Sequence, residues 1–332
     1  METKQIAFQP STIKAISMKT LTYQSLSETS VEWHSYFKDR SPSITNDYDL
    51  ACYIEKSLFK FGVERTSVLV VLDDQDTVKG ILPISYESEK GWSYWPSYMF
   101  ISVIPTIDSD VWPTLPEIVP RPFRIYETSF KTDVDLYLPS VAMSPANVID
   151  LSPYDSLSAY LNDLDKKTRS KFRNCLNRNQ DILVSPVTIY KDDSSSMAVR
   201  ESYMTYCAER FEGTEDLSYF QNQLSIFPNL FHVAEQHRQL TVLELRLDGR
   251  LVAINYSVID GNCLYDYICY RETDEDLEKR SLGIFAILKN IERMLLQNKV
   301  GQEAYYDLAS EFSYKKQFLP EIRFQQVTMT LT

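Results

Sequence analysis

The chain has 332 residues and a formal net charge of −12, from 34 Lys and Arg against 46 Asp and Glu. This length exceeds that of a usual single domain, so two domains of about 150 residues each are expected. The acidic balance opposes a large nucleic-acid surface, because phosphate neutralisation needs clustered cations, and it favours a neutral or cationic acceptor.

The first strong pattern is a predicted three-stranded meander. It starts at Ser67 with SVLVVLDDQDTVKGILPISYESEKGWSYWPSY, in which apolar strands alternate with turn residues. A similar segment, TVLELRLDGRLVAINYSVIDGNCLYDYICY, starts at Thr241. Both have a strand ending in Leu-Asp, a second strand with Ile-x-Tyr and a Tyr-rich third strand. The sequence therefore predicts that the same unit occurs twice.

A proline-rich run follows the first meander. It contains Pro105, Pro113, Pro116, Pro120 and Pro122. Proline is excluded from helix interiors and central strands, so an irregular segment on the surface is expected. A domain boundary is predicted near residue 150, which divides the chain into residues 1–150 and 151–332.

The second half is predicted to open with a helix at Ser152-Pro153, where serine caps and proline suits the first turn. A basic helix, KKTRSKFRNCLNR, follows over residues 166–178. Its cations suit a phosphorylated ligand, although a solvated helix face is the commoner explanation. DILVSPVTIY then predicts a strand, and residues 196–211 and 217–231 predict two helices.

The segment from Thr241 to Leu319 forms one compact predicted unit. Turns at Asp248-Gly249 and Gly261-Asn262 join three strands. RSLGIFAILKNIERMLLQN predicts a helix, QEAYYDL a short strand ending in Asp307, and SEFSYKKQFL a closing helix.

This order of elements resembles the catalytic core of the GNAT N-acyltransferases. The ending YYDLASEFSYKKQFL is similar to that of their cellulose-biosynthesis-type (CelD-like) branch, in which a strand ending in Asp precedes a Tyr-Lys pair and an aromatic residue. The resemblance implies an α/β (α+β) fold of two tandem GNAT-like domains, each a mixed, mostly antiparallel twisted sheet flanked by helices. It also implies a catalytic domain over residues 151–332 and a degenerate copy over residues 1–150 that contributes acceptor contacts.

The resemblance also points to a donor site at the predicted helix start. Backbone N–H groups at a helix N-terminus favour a pyrophosphate, and the family pattern is Arg or Gln, two residues, Gly, one residue, then Gly or Ala. The residues expected to hold the donor are Arg280, Ser281, Leu282, Gly283 and Ile284. Phe285 departs from the pattern, and we expect its bulky side chain to narrow the loop where the phosphates approach.

Four residues are candidates for the chemistry. Amide formation from a thioester needs a route for the amine proton and a group that protonates or stabilises the departing thiolate. Asp307 and Asp266 are the candidate bases, and Asp266 lies on the strand along which a pantetheine arm would run. By the resemblance, Tyr314 is the candidate acid, and Lys315 would stabilise the oxyanion or contact phosphate. A structural polar role is the alternative for each.

The sequence thus predicts an N-acyltransferase that moves an acyl group from acyl-CoA or acetyl-CoA, or from an acyl carrier protein, to a small-molecule amine by direct attack on the thioester. One alternative is a Fem-like enzyme that uses aminoacyl-tRNA; another is an inactive GNAT-like binding scaffold. Five Cys without CxxC spacing and three His predict no metal site. A cytoplasmic protein without a membrane span and without DNA as a partner is expected.

Overall fold

The computed structural model describes residues 18–39, 46–94, 108, 111–131, 141–145, 147–187, 212–213, 227–272, 274–297, 300–308, 315–319 and 324–331. The helix predicted over residues 196–211, most of the one over 217–231, and Tyr314 lie outside these ranges.

The first sheet has seven strands in the order β1-β2-β3-β4-β5-β13-β6. These are β1 Lys19–Tyr23, β2 Arg65–Leu72, β3 Val78–Glu87, β4 Gly91–Tyr94, β5 Phe123–Lys131, β6 Val141–Pro145 and β13 Phe324–Leu331. Strands β2 to β4 form the predicted antiparallel meander. The helices of this half are α1 Ser30–Phe37, α2 Tyr48–Leu58 and α3 Leu115–Ile118. The β-branched and Leu-rich run of β2 is buried from Val68 to Leu72, as a strand covered on both faces requires.

The second sheet has six strands in the order β7-β12-β11-β10-β9-β8. These are β7 Val148–Asp150, β8 Leu183–Val187, β9 Leu240–Leu247, β10 Arg250–Asp260, β11 Cys263–Arg271 and β12 Tyr305–Asp307. The second predicted meander, β9 to β11, is confirmed. Asp248 and Gly249 both have positive φ, which is the geometry of a two-residue hairpin turn. The helices are α4 Leu157–Asp163, α5 Lys166–Arg178, α6 Phe227–Gln236, α7 Glu275–Glu278 and α8 Leu282–Gln297.

Helices cover both faces of the second sheet. Helix α8 packs Ile287, Leu288 and Ile291 against Leu264 and Tyr306. On the opposite face, α6 joins the two halves through one continuous core, because its buried residues pack with β9 and β10 and also with α2 and β2. The two mixed sheets flanked by helices confirm the predicted fold class.

Two predictions about local structure are wrong. The first helix of the second half begins at Leu157 rather than at Ser152-Pro153, because Ser156 is its N-cap and accepts a hydrogen bond from Ala159 N at 3.2 Å. The proline-rich run is not a surface segment in its described part. It forms α3 and β5 and buries Leu115 and Phe123 completely. Its described prolines occupy helix starts and the turn before β5, where a missing N–H costs little. Pro105 lies outside the described residues.

Sheet membership does not follow the chain strictly. Strand β7 precedes residue 151 yet pairs with β12, and β13 lies at the far end of the chain yet pairs with β5 and β6. The division into residues 1–150 and 151–332 stays a prediction. Of the closing helix predicted from SEFSYKKQFL, the described part is a 3-10 turn at Lys315–Phe318.

Candidate functional site

The site is built around a split between two parallel strands. Strand β12 pairs with β11 from Cys263↔Tyr305 to Tyr265↔Asp307, and then ends. Strand β11 continues to Arg271, and over residues 266–271 its described partner is β10 alone. At roughly 3.3 Å per residue, about 20 Å of β11 backbone thus has no strand partner on the side of β12 within the part of the chain that the structure describes.

The helix between these strands begins at the same end of the sheet. The chain runs from β11 through α8 into the parallel strand β12, so the N-terminus of α8 lies toward the carboxyl ends of both strands. In such crossovers this edge is where ligands bind. The candidate donor residues and the candidate bases therefore belong to one edge of the sheet.

Asp266 and Asp307 lie next to each other at the split. Asp307 is the last residue of β12 and is 4% exposed, which confirms the predicted strand end. Asp266 follows Tyr265, the last β11 residue that pairs with β12. Burial raises the pKa of the Asp266 carboxyl, and the charge of Asp307 raises it further. The charge of Lys315 and hydrogen bonds from Asn255 and Tyr306 act in the opposite direction.

Lys315 is placed beside these carboxylates by a braced turn. Its side chain is buried and its ammonium donates to the carbonyl of Leu308, directly after Asp307. At the other end of the turn, the Phe318 carbonyl accepts a hydrogen bond from the Tyr160 hydroxyl at 2.5 Å. The Phe318 ring also stacks on Phe172 of α5, with 4.6 Å between centroids. Helices α4 and α5 thus position the lysine.

The start of α8 is held by the end of α5. Arg280 makes a bidentate ion pair with Asp181, at 2.7 and 2.9 Å, and this holds the pKa of Asp181 below its usual value. Asn179 Nδ2 donates to the Arg280 carbonyl at 2.8 Å. Ser281 has φ of 56°, a left-handed conformation that is rare for a residue with a side chain. The loop is therefore fixed by contacts to both the backbone carbonyl and the side chain of Arg280.

The helix entrance offers backbone donors, and the space beside Gly283 is open. The N–H groups of Leu282, Gly283 and Ile284 precede the first helical hydrogen bond, which runs from Phe285 N to Ser281 O at 3.0 Å. A Cβ added at Gly283 would meet no atom within 4 Å. The expectation about Phe285 is wrong: its ring is 2% exposed and packs in the core with Leu243 and Leu245 rather than narrowing the loop.

A buried polar network behind Asp266 was missed by sequence reasoning. It consists of Asn255 and Ser257 on β10, Asn290 on α8 and Tyr306 on β12, each at most 1% exposed. The signal in the sequence was two polar residues within an apolar strand, LVAINYSVI, and one on the apolar stripe of a helix, ILKNIERML. Such residues suggest a buried polar contact but do not identify its partner.

The other predicted features are placed as follows. Tyr314 lies outside the described residues, immediately before the buried Lys315. No group of three or more His, Cys, Asp or Glu that could hold a metal ion is present among the residues that the structure describes. Over the same residues, no helix combines the length and the apolar character that a membrane span requires.

Comparisons with known proteins locate a family match on this site. Residues 166–315 match the model of the acetyltransferase (GNAT) domain. The match starts at the first residue of α5 and ends at Lys315, so it includes both candidate bases and the α8 entrance. No curated protein matches the sequence at a significant level.

Solved structures align with this chain over almost its whole length. A conserved protein of unknown function from Bacteroides thetaiotaomicron is 12% identical with a TM-score of 0.52, covering 96% of this chain and 100% of its own. L-PGS from Bacillus licheniformis is 10% identical with a TM-score of 0.49, covering 91% of each chain. A tandem GNAT protein from the clavulanic acid biosynthesis pathway is 11% identical with a TM-score of 0.43, covering 95% and 99%.

At these identities, the likeness to the Bacteroides protein shows a shared fold and nothing about activity. The family match adds the domain type, and its limits coincide with the elements that form the split, the helix entrance and the buried Lys315. Residues 166–315 therefore match the acetyltransferase (GNAT) domain, and this match supports a GNAT-type acyltransferase.

Proposed function

We propose that the chain is an N-acyltransferase that takes its acyl group from an acyl-CoA thioester and gives it to a small-molecule amine. One observation carries this proposal. The open edge of β11 has the donor-rich entrance of α8 toward one end and two carboxylates with a buried lysine at the other, where β12 ends.

The helix entrance suits the pyrophosphate of CoA. The N–H groups of Leu282, Gly283 and Ile284 and the positive end of the α8 dipole would receive it. Because Arg280 is paired with Asp181, its role in this proposal is to hold the loop rather than to contact phosphate. The open backbone of residues 266–271 would then accept and donate hydrogen bonds along an extended pantetheine arm.

The chemistry would occur where β12 leaves β11. The acceptor nitrogen attacks the thioester carbonyl carbon, and its proton passes to Asp266 or Asp307 as the C–N bond forms. The negative charge that develops on the carbonyl oxygen lies near the buried ammonium of Lys315. As the C–S bond breaks, the departing thiolate takes a proton from Tyr314, the predicted acid.

Direct transfer is favoured over a covalent enzyme intermediate. Cys263 is the nearest described cysteine to Asp307, since it begins β11 and pairs with Tyr305. Burial raises the pKa of the Cys263 thiol, so the thiolate that covalent catalysis needs is disfavoured.

A substitution at Gly283 tests the donor site without breaking the loop. Gly283→Asp places a carboxylate in open space at a helix N-terminus, where it favours the dipole but repels phosphate. We expect the free variant to be at least as stable as wild type. At 100 times the dissociation constant of acetyl-CoA, wild type should gain about 2.7 kcal/mol of stability, and the variant should gain none. The measurement is a thermal shift with acetyl-CoA, longer acyl-CoAs and CoA.

The matched control is Gly283→Ala, which adds a methyl group but no charge. It should keep the shift, and its folding stability should not fall, because alanine is favoured over glycine in helices by up to about 1 kcal/mol. A shift that Gly283→Asp leaves intact would contradict the assignment of the α8 entrance.

An aminoacyl-tRNA donor is the second candidate, favoured by the surface of α5. Its exposed cations include Lys166, Lys167, Lys171 and Arg173, and the helix contains no acidic residue. Charge reversal at Lys166 and Lys167 would abolish binding of a tRNA and leave CoA binding unchanged. Absence of any shift with CoA compounds, together with tRNA binding that this reversal removes, would favour the second donor.

A further inference from the structure

A β-bulge sets the direction of the Asp266 side chain. Tyr256 opposes Ile268, but the next residue, Ser257, opposes Asp266, so Tyr267 is an extra residue on β11. Side chains alternate along a strand, and in an unbroken ladder Asp266 would lie on the opposite face from Ser257. The bulge moves it to the face covered by α8, a use that bulges often have beside active sites.

The first contact that holds Asp266 comes from Asn255. Its Nδ2 donates to Asp266 Oδ1 at 2.6 Å, while its Oδ1 accepts from Ser257 Oγ and from Asn290 Nδ2, each at 2.7 Å. Two donors at the amide oxygen fix the orientation of the amide, because only its NH₂ group can then face the carboxylate.

The second contact comes from Tyr306. Asn290 Nδ2 also donates to the Tyr306 hydroxyl, at 3.1 Å. That hydroxyl is hydrogen-bonded to the Asp266 carboxyl, and since it accepts from Asn290 it has its own proton to donate. The two amide hydrogens of Asn290 therefore hold Asn255 and Tyr306, and both of these residues donate to the Asp266 carboxylate.

Filling this space with polar side chains costs more free energy than filling it with apolar ones. Asn290 is 1% exposed and lies on the same apolar stripe as Ile287 and Ile291. An aliphatic side chain there would avoid the desolvation of a polar group, and every donor in a buried network must be satisfied to offset that cost. Such a departure from the simplest packing is expected at functional sites.

We propose that Asn290 is a positioning residue for the acyl transfer, which through Asn255 and Tyr306 aims the Asp266 carboxylate into the split between β11 and β12. The proposal rests on the proposed function and deepens it, because it assigns the base. Asp266, rather than Asp307, takes the proton of the acceptor nitrogen as the C–N bond forms, and returns it to solvent after the thiol has left.

The charged surroundings agree with this role. Besides its two hydrogen-bond donors, the carboxyl feels the charge of the Lys315 ammonium, which lowers its pKa, and the charge of the Asp307 carboxylate, which raises it. Burial is the largest influence and raises the pKa. A base whose pKa approaches the working pH accepts a proton more effectively than an exposed carboxylate.

The first test measures Asp266 directly, without any substrate. Protein labelled with ¹³C at the aspartate carboxyl carbons is titrated by NMR, and Asp266→Asn identifies the resonance. Asn290→Leu should move the midpoint of Asp266 upward, because the carboxylate loses the support of its donors. Glu55→Gln, which disturbs a buried carboxylate bonded to Leu26 N in the first half, should leave it unchanged. An unchanged midpoint in folded Asn290→Leu would overturn the proposal.

The second test is a kinetic cycle. Asn290→Leu should lower kcat about ten- to a hundredfold, as loss of a supporting residue typically does, while the KM for the donor stays within about twofold. In an Asp266→Asn background, the same change should cause no further loss. If the kcat of the double variant instead fell by the product of the two single losses, Asn290 would not act through Asp266.

A second variant and the thermal shift distinguish failure of this proposal from failure of the proposed donor. If leucine at residue 290 prevents folding, Tyr306→Phe removes one donor at nearly constant volume and should raise the same midpoint. If wild type shows no thermal shift with acyl-CoA, the proposed donor fails. The NMR result still decides whether Asn290 holds Asp266.

Discussion

Asp266 shows how one residue combines a cost to the fold with a use in the reaction. Burial disfavours its charged form, and the charge of Asp307 adds to the effect. A carboxyl whose pKa is raised in the folded protein is ionised more readily when unfolded. The ionisation of Asp266 therefore destabilises the folded protein most when the pH is above the raised pKa. This penalty disappears below the unfolded pKa of about 3.9.

The substitution Asp266→Asn removes this penalty. The amide keeps an acceptor for Asn255 and removes the ionisation, so the variant should unfold at a higher denaturant concentration than wild type at pH 8. The advantage should shrink as the pH falls toward 4. Acyl transfer should fall strongly, to a residual rate, throughout. Urea titrations across this pH range measure the first effect, and a coupled thiol assay measures the second.

Asp74→Asn, in an exposed turn, is the matched control and should show no such pH-dependent gain. If Asp266→Asn were less stable than wild type at every pH, Asp266 would be a structural group and the interpretation of its burial would be wrong.

At the scale of elements, the turn at Lys315–Phe318 depends on helices that are distant in sequence. The Tyr160 hydroxyl is fully buried and donates to the Phe318 carbonyl, 158 residues further along the chain. Phe172 stacks on the ring of Phe318. The position of the Lys315 ammonium is thereby linked to α4 and α5, which do not themselves contain a candidate base.

Tyr160→Phe tests this link. The change keeps the ring but leaves the buried Phe318 carbonyl without its donor, which should cost about 1–3 kcal/mol of stability. We expect kcat to fall because Lys315 loses its fixed position, while acetyl-CoA still produces a thermal shift. Tyr154→Phe is the control, because the Tyr154 hydroxyl bonds the exposed Asp163 at the surface. Equal kcat in Tyr160→Phe and wild type would disprove the link.

The sequence predicted those elements whose signals are local. Alternating apolar residues, the Asp248-Gly249 turn and the helical period after Gly283 were enough to find β9 to β12 and α8, and with them Asp307 and Asp266. The network at Asn255 and Asn290 could not be predicted, because a single polar residue does not reveal its partner. The roles of Tyr160 and Phe285 were hidden for the same reason: they depend on contacts made only after packing.

At the scale of the molecule, the two sheets are joined by an exchange of strands and by a shared core. Strand β13 lies between β5 and β6 in the first sheet, although every strand from β7 to β12 separates it from them in sequence. Its residue Val327 pairs with Thr128 on one side and Met143 on the other. No local pattern in the sequence predicted this arrangement.

Val327→Pro should therefore act far from its place in the sequence. Proline cannot donate to the ladder, and in a central strand it is strongly disfavoured. Hydrogen–deuterium exchange should show loss of protection in β5 and β6, while β9 to β11 keep theirs. Val327→Ala, which retains the N–H group, should preserve the protection of both sheets. Equal loss in both sheets would show that they unfold as one unit.

The placement of β13 also constrains the order in which the protein acquires its structure during synthesis. The six strands of the second sheet occupy a continuous stretch from Val148 to Asp307 and leave the ribosome together. The first strands of the first sheet leave the ribosome earlier. The gap between β5 and β6 is filled only after Phe324–Leu331 has been synthesised. The half of the chain that is translated first is thus the half whose sheet is completed last, and until then two strand edges of that sheet remain open to wrong partners.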